Sequence, residues 1–323
     1  MRNLGAPFAL VAVALREARY GLGDSRAPLV SALAANLANI ALDALFILGL
    51  GLGVRGAGMA TALGHLVEMG MLFAASRDPG IAWRKARLRH VTAALRLGVP
   101  LGLQFLLEVG SFTVLVVLLA RCGEIEVAAH QIALQVTHLS FLPAFAVGEA
   151  ASVLIGQAVG AGEDALVRPL ARKAGAIGAA YTGFCSLVLV VFAGPIASAF
   201  TRDAAVRATA VHLLWVAAAF QIFDGANVVA RSALRGTGDV RFPAIIGVAT
   251  SWLCLPPLTW LLGEHFGLGA LGGWLGLLVE IVVGAVIFWA RLERDQWRPW
   301  AVRSRAELGV AAPGDAPAAA GAE

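Results

Sequence analysis

Charge is scarce in this sequence. Asp, Glu, Lys and Arg make up 14% of its 323 residues, whereas apolar types reach 59%. A soluble domain carries about 25% charged and about 45–50% apolar residues. That shortfall excludes an ordinary soluble enzyme, and no nucleic-acid partner is expected. Cysteine is equally sparse. Cys122, Cys185 and Cys254 are scattered without ligand spacing, which excludes a disulfide framework or a thiolate metal site and leaves them as small apolar residues. The apolar runs do not alternate with polar residues, as the strands of a membrane-spanning barrel would. No GxxxxGK[ST] phosphate loop occurs.

What is present is length. Nine apolar segments cover roughly 4–18, 28–49, 56–76, 93–120, 125–160, 166–200, 204–234, 242–262 and 267–291. Most approach or exceed the ~20 residues that cross about 30 Å of hydrocarbon as helix. The fold class expected is an all-α membrane protein with nine transmembrane helices. From Asp295 the chain turns charged and then Ala/Pro/Gly-rich (Ala311–Glu323), which predicts a disordered tail.

An internal repeat organises these segments. Gly21-Leu22-Gly23-Asp24-Ser25-Arg26-Ala27-Pro28 and Gly236-Thr237-Gly238-Asp239-Val240-Arg241-Phe242-Pro243 both read GxGDxRxP, 215 residues apart. Each is followed by an apolar run, a Gly-rich turn and a second apolar run. Glycine permits positive φ in such a turn. Asp24 and Asp239 are placed to cap the next helix, with Pro28 and Pro243 in its first turn.

The basic residues give the orientation. If alternate loops share a side, that side holds twenty of the 25 Lys and Arg residues, including Arg231, Arg235 and Arg241, and the other holds five. The rich side, with the C-terminus, is expected to be cytoplasmic. Six crossings separate the two motifs, so the halves run parallel about an axis along the membrane normal. The first half is shorter by about three helices' worth of chain. The chain is therefore expected to be an N-terminally incomplete copy of a twelve-helix, two-lobe protein, with a natural nine-helix variant as the alternative. The expected division is 1–90 (a partial N-lobe of three helices plus an inter-lobe loop), 91–294 (a six-helix C-lobe) and 295–323 (a cytoplasmic tail).

Four stretches together carry a family resemblance: GLGDSRAP with the Asn36–Asn39–Asp43 helix, AAHQIAL at Ala128–Leu134, GQAVGAG at Gly156–Gly162, and LRGTGDVRFP at Leu234–Pro243. In this order and spacing the chain resembles the MATE (multidrug and toxic compound extrusion) transporters, of the NorM-like type, lacking the first three helices. The resemblance implies a truncated two-lobe (6+6) fold in a bacterial-type inner membrane. It implies a monomeric secondary antiporter that exports organic cations or drugs. Na+ or H+ would enter in exchange, and no cofactor would be required.

Ionisable groups within lipid are expensive, at about 2.5–3.5 kcal/mol each on insertion scales, so their retention points to a task or a partner. Asn36, Asn39 and Asp43 share one face of the second helix, and Thr61 could add a hydroxyl from the third. A carboxylate beside amide oxygens suits a small cation or a proton. The resemblance assigns Asn39, Asp43 and Thr61 to the family's N-lobe cation site, which a first-helix Asp absent from this chain would complete. A second stripe is Gln104, Glu108 and Ser111, and a third is Gln221, Asp224 and Asn227. Their sequence surroundings resemble the branch in which this Glu and this Asp belong to the C-lobe cation site. Gln131, Gln135 and His138, with His130 beside them, offer either a proton relay or helix–helix hydrogen bonds. Glu149 and Glu280 lie in or near the apolar belt without an assigned role. Glu68 and His65 read as interfacial, and Trp260, Trp289, Trp297 and Trp300 as interface anchors. A lipid-linked precursor flippase, an intramembrane enzyme and an inactive fragment are the alternatives.

Overall fold

The computed structural model describes residues 5–76 and 88–308. The basic inter-lobe loop at 77–87 and the tail at 309–323 lie outside the described residues. Within them there are ten helices and no strand: α1 (Ala6–Gly21), α2 (Arg26–Asp43), α3 (Gly53–Ala75), α4 (Leu88–Cys122), α5 (Glu124–Gly160), α6 (Val167–Phe200), α7 (Ala204–Gly236), α8 (Arg241–Leu258), α9 (Ala270–Glu293) and α10 (Arg298–Leu308). Eight of them are long and apolar enough to cross a membrane. Of the nine crossings expected, eight are shown; the described part of α1 has 16 residues, about 24 Å of helix against the ~30 Å of hydrocarbon. The chain is a multi-pass membrane protein.

The repeat is visible in the backbone. At the 215-residue offset α2 falls on α8, and α1 falls on the last turns of α7. Each motif turn carries a glycine at positive φ, 78° at Gly23 and 86° at Gly238, where a side chain would be strained. Both second helices end in a π-helical turn, Ala44–Gly49 and Thr259–His265. The described residues divide into two compact units, Met1–Val91 and Thr92–Glu323. In unit 1, α1 and α2 each pack against α3 and hardly touch each other, and in unit 2, α7 and α8 pack against α9 in the same way.

Helix α7 is the centre of unit 2, packed against α5, α6 and α9. Small residues allow the close approaches. A Cβ on Gly225 would meet Thr182 Oγ1 of α6 at 2.7 Å, and one on Gly236 would meet the Ser152 carbonyl oxygen of α5 at 2.5 Å. One apolar cluster gathers Leu115, Leu119, Leu213, Leu214, Phe220 and Trp274. A second gathers Ile155, Leu234, Phe288, Leu292 and Trp297.

That second cluster corrects the expectation of a disordered tail from Asp295. Trp297 is fully buried and donates its indole N–H to the Leu292 carbonyl at 3.2 Å. It brings α10 onto the bundle, where the Arg305 guanidinium donates to Asp164 at 2.6 and 3.1 Å and to the Val159 carbonyl at 3.0 Å. Composition suggested solvation, but a large aromatic anchor and charge pairs at both ends, Arg168–Asp295 and Arg305–Asp164, hold the segment. Trp289 also packs against the bundle. Its ring covers Gly175, and its N–H donates to the Ala226 carbonyl at 3.0 Å. Trp260 is exposed and stacks on His265.

The two motif aspartates differ. Asp24 caps α2, accepting from the backbone N–H groups of Arg26 and Ala27 at 3.0 and 3.2 Å. Asp239 is fully buried and is claimed by Arg291 Nε at 2.6 Å, with that guanidinium over the Phe242 ring. Burial pushes the Asp239 carboxyl above the usual carboxylate range, against the pull of Arg291.

Candidate functional site

Unit 2 gathers its charged side chains around Arg231 of α7. Arg231 Nη1 lies 3.2 and 3.3 Å from the two carboxylate oxygens of Glu108 on α4. One turn earlier, Gln104 donates from Nε2 to Glu108 Oε1 at 2.9 Å. The pair rests against bare backbone of α8, since a Cβ on Gly247 would come within 2.6 Å of Glu108 Oε1 and 3.0 Å of Arg231 Nη2. The two side chains are about one fifth exposed, 22% for Arg231 and 19% for Glu108, so the pair is not sealed. Asp224 lies seven residues before Arg231 on the same face of α7, within electrostatic reach of it. Glu280 of α9 interacts electrostatically with Arg231, Glu108 and Asp224. Its Oε2 is buried and has no hydrogen-bond partner among the described residues, and the same holds for Arg231 Nε.

One carboxylate thus pairs with the guanidinium, and two more, from two other helices, lie within its electrostatic reach. If all are ionised, the cluster carries surplus negative charge in an apolar bundle, where charges interact far more strongly than in water. The adjoining Arg235 is already engaged by Glu149 at 2.6 Å and Ser232 at 2.8 Å. Among the described residues no three His, Cys, Asp or Glu side chains converge as a metal-chelating set. The cluster suits a monovalent or organic cation better than a chelated divalent one.

The structure places the other residues singled out from sequence as follows. Ser111 bonds Ser251 of α8 and stays beside Glu108. Gln221 is buried and donates to Ser140 of α5, and Asn227 donates to the Ile281 carbonyl at 3.0 Å. Both tie helices together rather than join the carboxylates. His130 is in the core, where Nδ1 accepts from Trp274 Nε1 at 3.1 Å. Gln131, Gln135 and His138 face away from the described protein. A face shared on one helix did not become a shared neighbourhood, because α5 turns its small residues inward.

Two features were missed. Arg231 was counted among the loop charges, yet it lies inside α7, and its spacing of seven from Asp224 was the available signal. Glu280, without a role in the sequence, is the residue whose field reaches the other three charges.

In unit 1, Asn39, Asp43 and Thr61 do come together. With its amide nitrogen toward Asp43, Asn39 donates to Oδ2 at 3.2 Å and accepts from the Thr61 backbone N–H at 3.1 Å. Thr61 contributes its backbone, because its hydroxyl donates to the Ala57 carbonyl. Asp43 Oδ1 is buried without a partner among the described residues. Asn36 bonds back to Ala32 on its own helix and faces outward. Glu68 is buried in unit 1 and paired with Arg16 of α1, as a lone carboxylate among apolar helices requires a counter-ion.

Known proteins share this architecture. The MatE family model matches residues 100–261. A probable multidrug resistance protein NorM of Pseudomonas syringae pv. tomato is 32% identical over 95% of this chain and 71% of the relative. Its counterpart in Pseudomonas aeruginosa is 36% identical over 77% of this chain and 55% of the relative. The chain thus spans between about half and 71% of the length of these curated relatives. Among solved structures, a mutant of the Vibrio cholerae MATE transporter VcmN superposes with a TM-score of 0.83 at 23% identity, covering 90% of this chain and 67% of that one. A MOP superfamily transporter from Pyrococcus furiosus gives 0.76 at 21% identity, over 82% and 61%. Taken with the repeated helical architecture, these matches show that the chain belongs to the MATE family, whose members are membrane transporters and not enzymes.

Proposed function

We propose that the chain carries out secondary active efflux, expelling organic cations in exchange for entering Na+ or H+. The carrying observation is the surplus of carboxylates in unit 2, where Glu108 pairs with Arg231 and Asp224 and Glu280 lie within electrostatic reach of the same guanidinium. A cation of either kind relieves that surplus, so the coupling ion and the cargo compete for one set of oxygens. Competition of this sort makes exchange obligatory when each ligand favours a different arrangement of the protein. The curated relatives are described as probable multidrug resistance proteins, which accords with drug cargo; its positive charge is inferred from the carboxylates.

Asn39, Asp43 and Thr61 form a second candidate cation group, supported by the buried unpartnered Asp43 Oδ1. Gln104 is the supporting amide of the Glu108 site. The protein works as a monomer, and both GxGDxRxP turns and the C-terminus lie on the cytoplasmic side of a bacterial inner membrane, where the positive charge accumulates. A flippase for lipid-linked precursors is not favoured, because its anionic headgroup would meet these same carboxylates.

Ethidium export from proteoliposomes carrying the full chain tests this, with a Na+ gradient and a pH gradient imposed separately. Faster export with one of the two gradients is the expected result. Export indifferent to both would refute the reading.

A further inference from the structure

The exchange reading needs something to hold the carboxylates when no cation is bound. Bare carboxylates among apolar helices are too expensive to leave alone. Arg231 meets the requirement from within the chain. It reaches Glu108 through Nη1, while its Nε stays buried with no hydrogen-bond partner among the described residues. The guanidinium is therefore engaged on one side only. The same charge is within electrostatic reach of Asp224 on its own helix and of Glu280 on α9. Glu280 in turn has an unpartnered buried oxygen. Arg231 thus has a second place to go.

The surroundings allow the move. On α8 the pair lies against Gly247, the position where any Cβ would crowd both groups. On α9 the Phe288 ring lies 5.6 Å from the guanidinium, close enough to hold a cation during a shift. On α5, Glu149 is already held by Arg235 and does not compete for Arg231. The other repeat has an arginine at the equivalent register, since Arg16 lies 215 residues before Arg231, and it too pairs with a carboxylate, Glu68.

We infer that Arg231 is a tethered counter-cation: it occupies Glu108 in the unloaded protein and swings toward Glu280 and Asp224 when a monovalent cation takes its place. It is a positioning residue that sets how tightly the site holds its cargo. Arriving cations do not bind an empty carboxylate but displace a resident charge. This inference rests on the exchange reading above.

Calorimetric binding of tetraphenylphosphonium to the purified full chain tests it. Arg231→Gln keeps a donor for Glu108 but removes the competing charge, and should tighten binding about tenfold, equivalent to about 1.4 kcal/mol. Arg231→Lys keeps the charge but loses the planar fork. It should tighten binding about threefold, and it carries the test if the Gln variant does not fold. Glu280→Gln should weaken binding in the native background, because the displaced arginine loses its second partner. That loss should vanish in the Arg231→Gln background, where no arginine needs rehousing. A purely structural arginine would lower protein yield without tightening binding. Wild-type binding with no tightening in either Arg231 variant, or an equal Glu280→Gln loss in both backgrounds, overturns the inference alone. Absence of binding in every form overturns the exchange reading and this inference with it.

Discussion

Replacing Asp224 with Asn is expected to abolish gradient-driven export while leaving membrane insertion intact. Asp224 is part of the carboxylate surplus and forms no direct ion pair among the described residues, although Arg231 is within its electrostatic reach. Its amide isostere fills the same space among the same apolar neighbours, so helix packing in unit 2 is preserved. The negative charge disappears, and with it the difference in affinity through which a cation can shift the protein between states. Coupling energies of this kind correspond to about 5–150-fold effects, and loss at the upper end of that range is expected. Glu108→Gln should behave similarly for transport but less cleanly for stability. It strips Arg231 of its bonded partner, so the guanidinium must be rehoused on Glu280 and Asp224. The measurement is ethidium efflux from proteoliposomes, normalised to the amount of inserted protein. Export at the wild-type rate by the Asp224→Asn protein would remove the carboxylate from the mechanism.

The second large effect concerns the C-terminal end of the described chain. Trp297→Ala is expected to undock α10. Trp297 is 0% exposed and packs within the cluster of Ile155, Phe288, Leu292 and Ala301. Buried aromatic-to-alanine changes cost about 3–5 kcal/mol. The Arg305–Asp164 pair is one fifth or less exposed on the arginine side, and the carbonyl of Val159 also depends on Arg305. Once the aromatic anchor is gone, the helix loses its largest apolar contact, and partly exposed ion pairs contribute little alone. Trypsin should cleave after Arg303 or Arg305 much faster in the variant than in the parent protein. Equal cleavage rates would restore the disordered tail that composition suggested.

Most of the helical framework was readable because apolar run length and a repeated turn are strong local signals. The GxGDxRxP repeat placed α2 and α8 in register, and both motif glycines adopt the positive φ that their role demands. What the sequence concealed depended on tertiary neighbours. Arg231 looked like a loop charge because it stands near a helix end beside Arg235, and only packing of α4 on this region shows Glu108 waiting for it. Trp297 looked like an interfacial anchor because it stands near the end of an apolar segment, whereas its neighbours in space are Phe288 and Leu292. His130 looked like a relay group beside Gln131, yet the indole of Trp274 holds it in the core. Periodicity says which face of a helix a residue occupies, and it does not say what that face meets.

Equilibrium binding of ethidium to the purified full chain, titrated against Na+ and against pH, tests the central claim most directly. The account predicts that the apparent dissociation constant rises with the coupling ion, and that the Glu108→Gln/Asp224→Asn/Glu280→Gln protein loses both the binding and the competition. Unchanged ethidium affinity in that triple variant would contradict it.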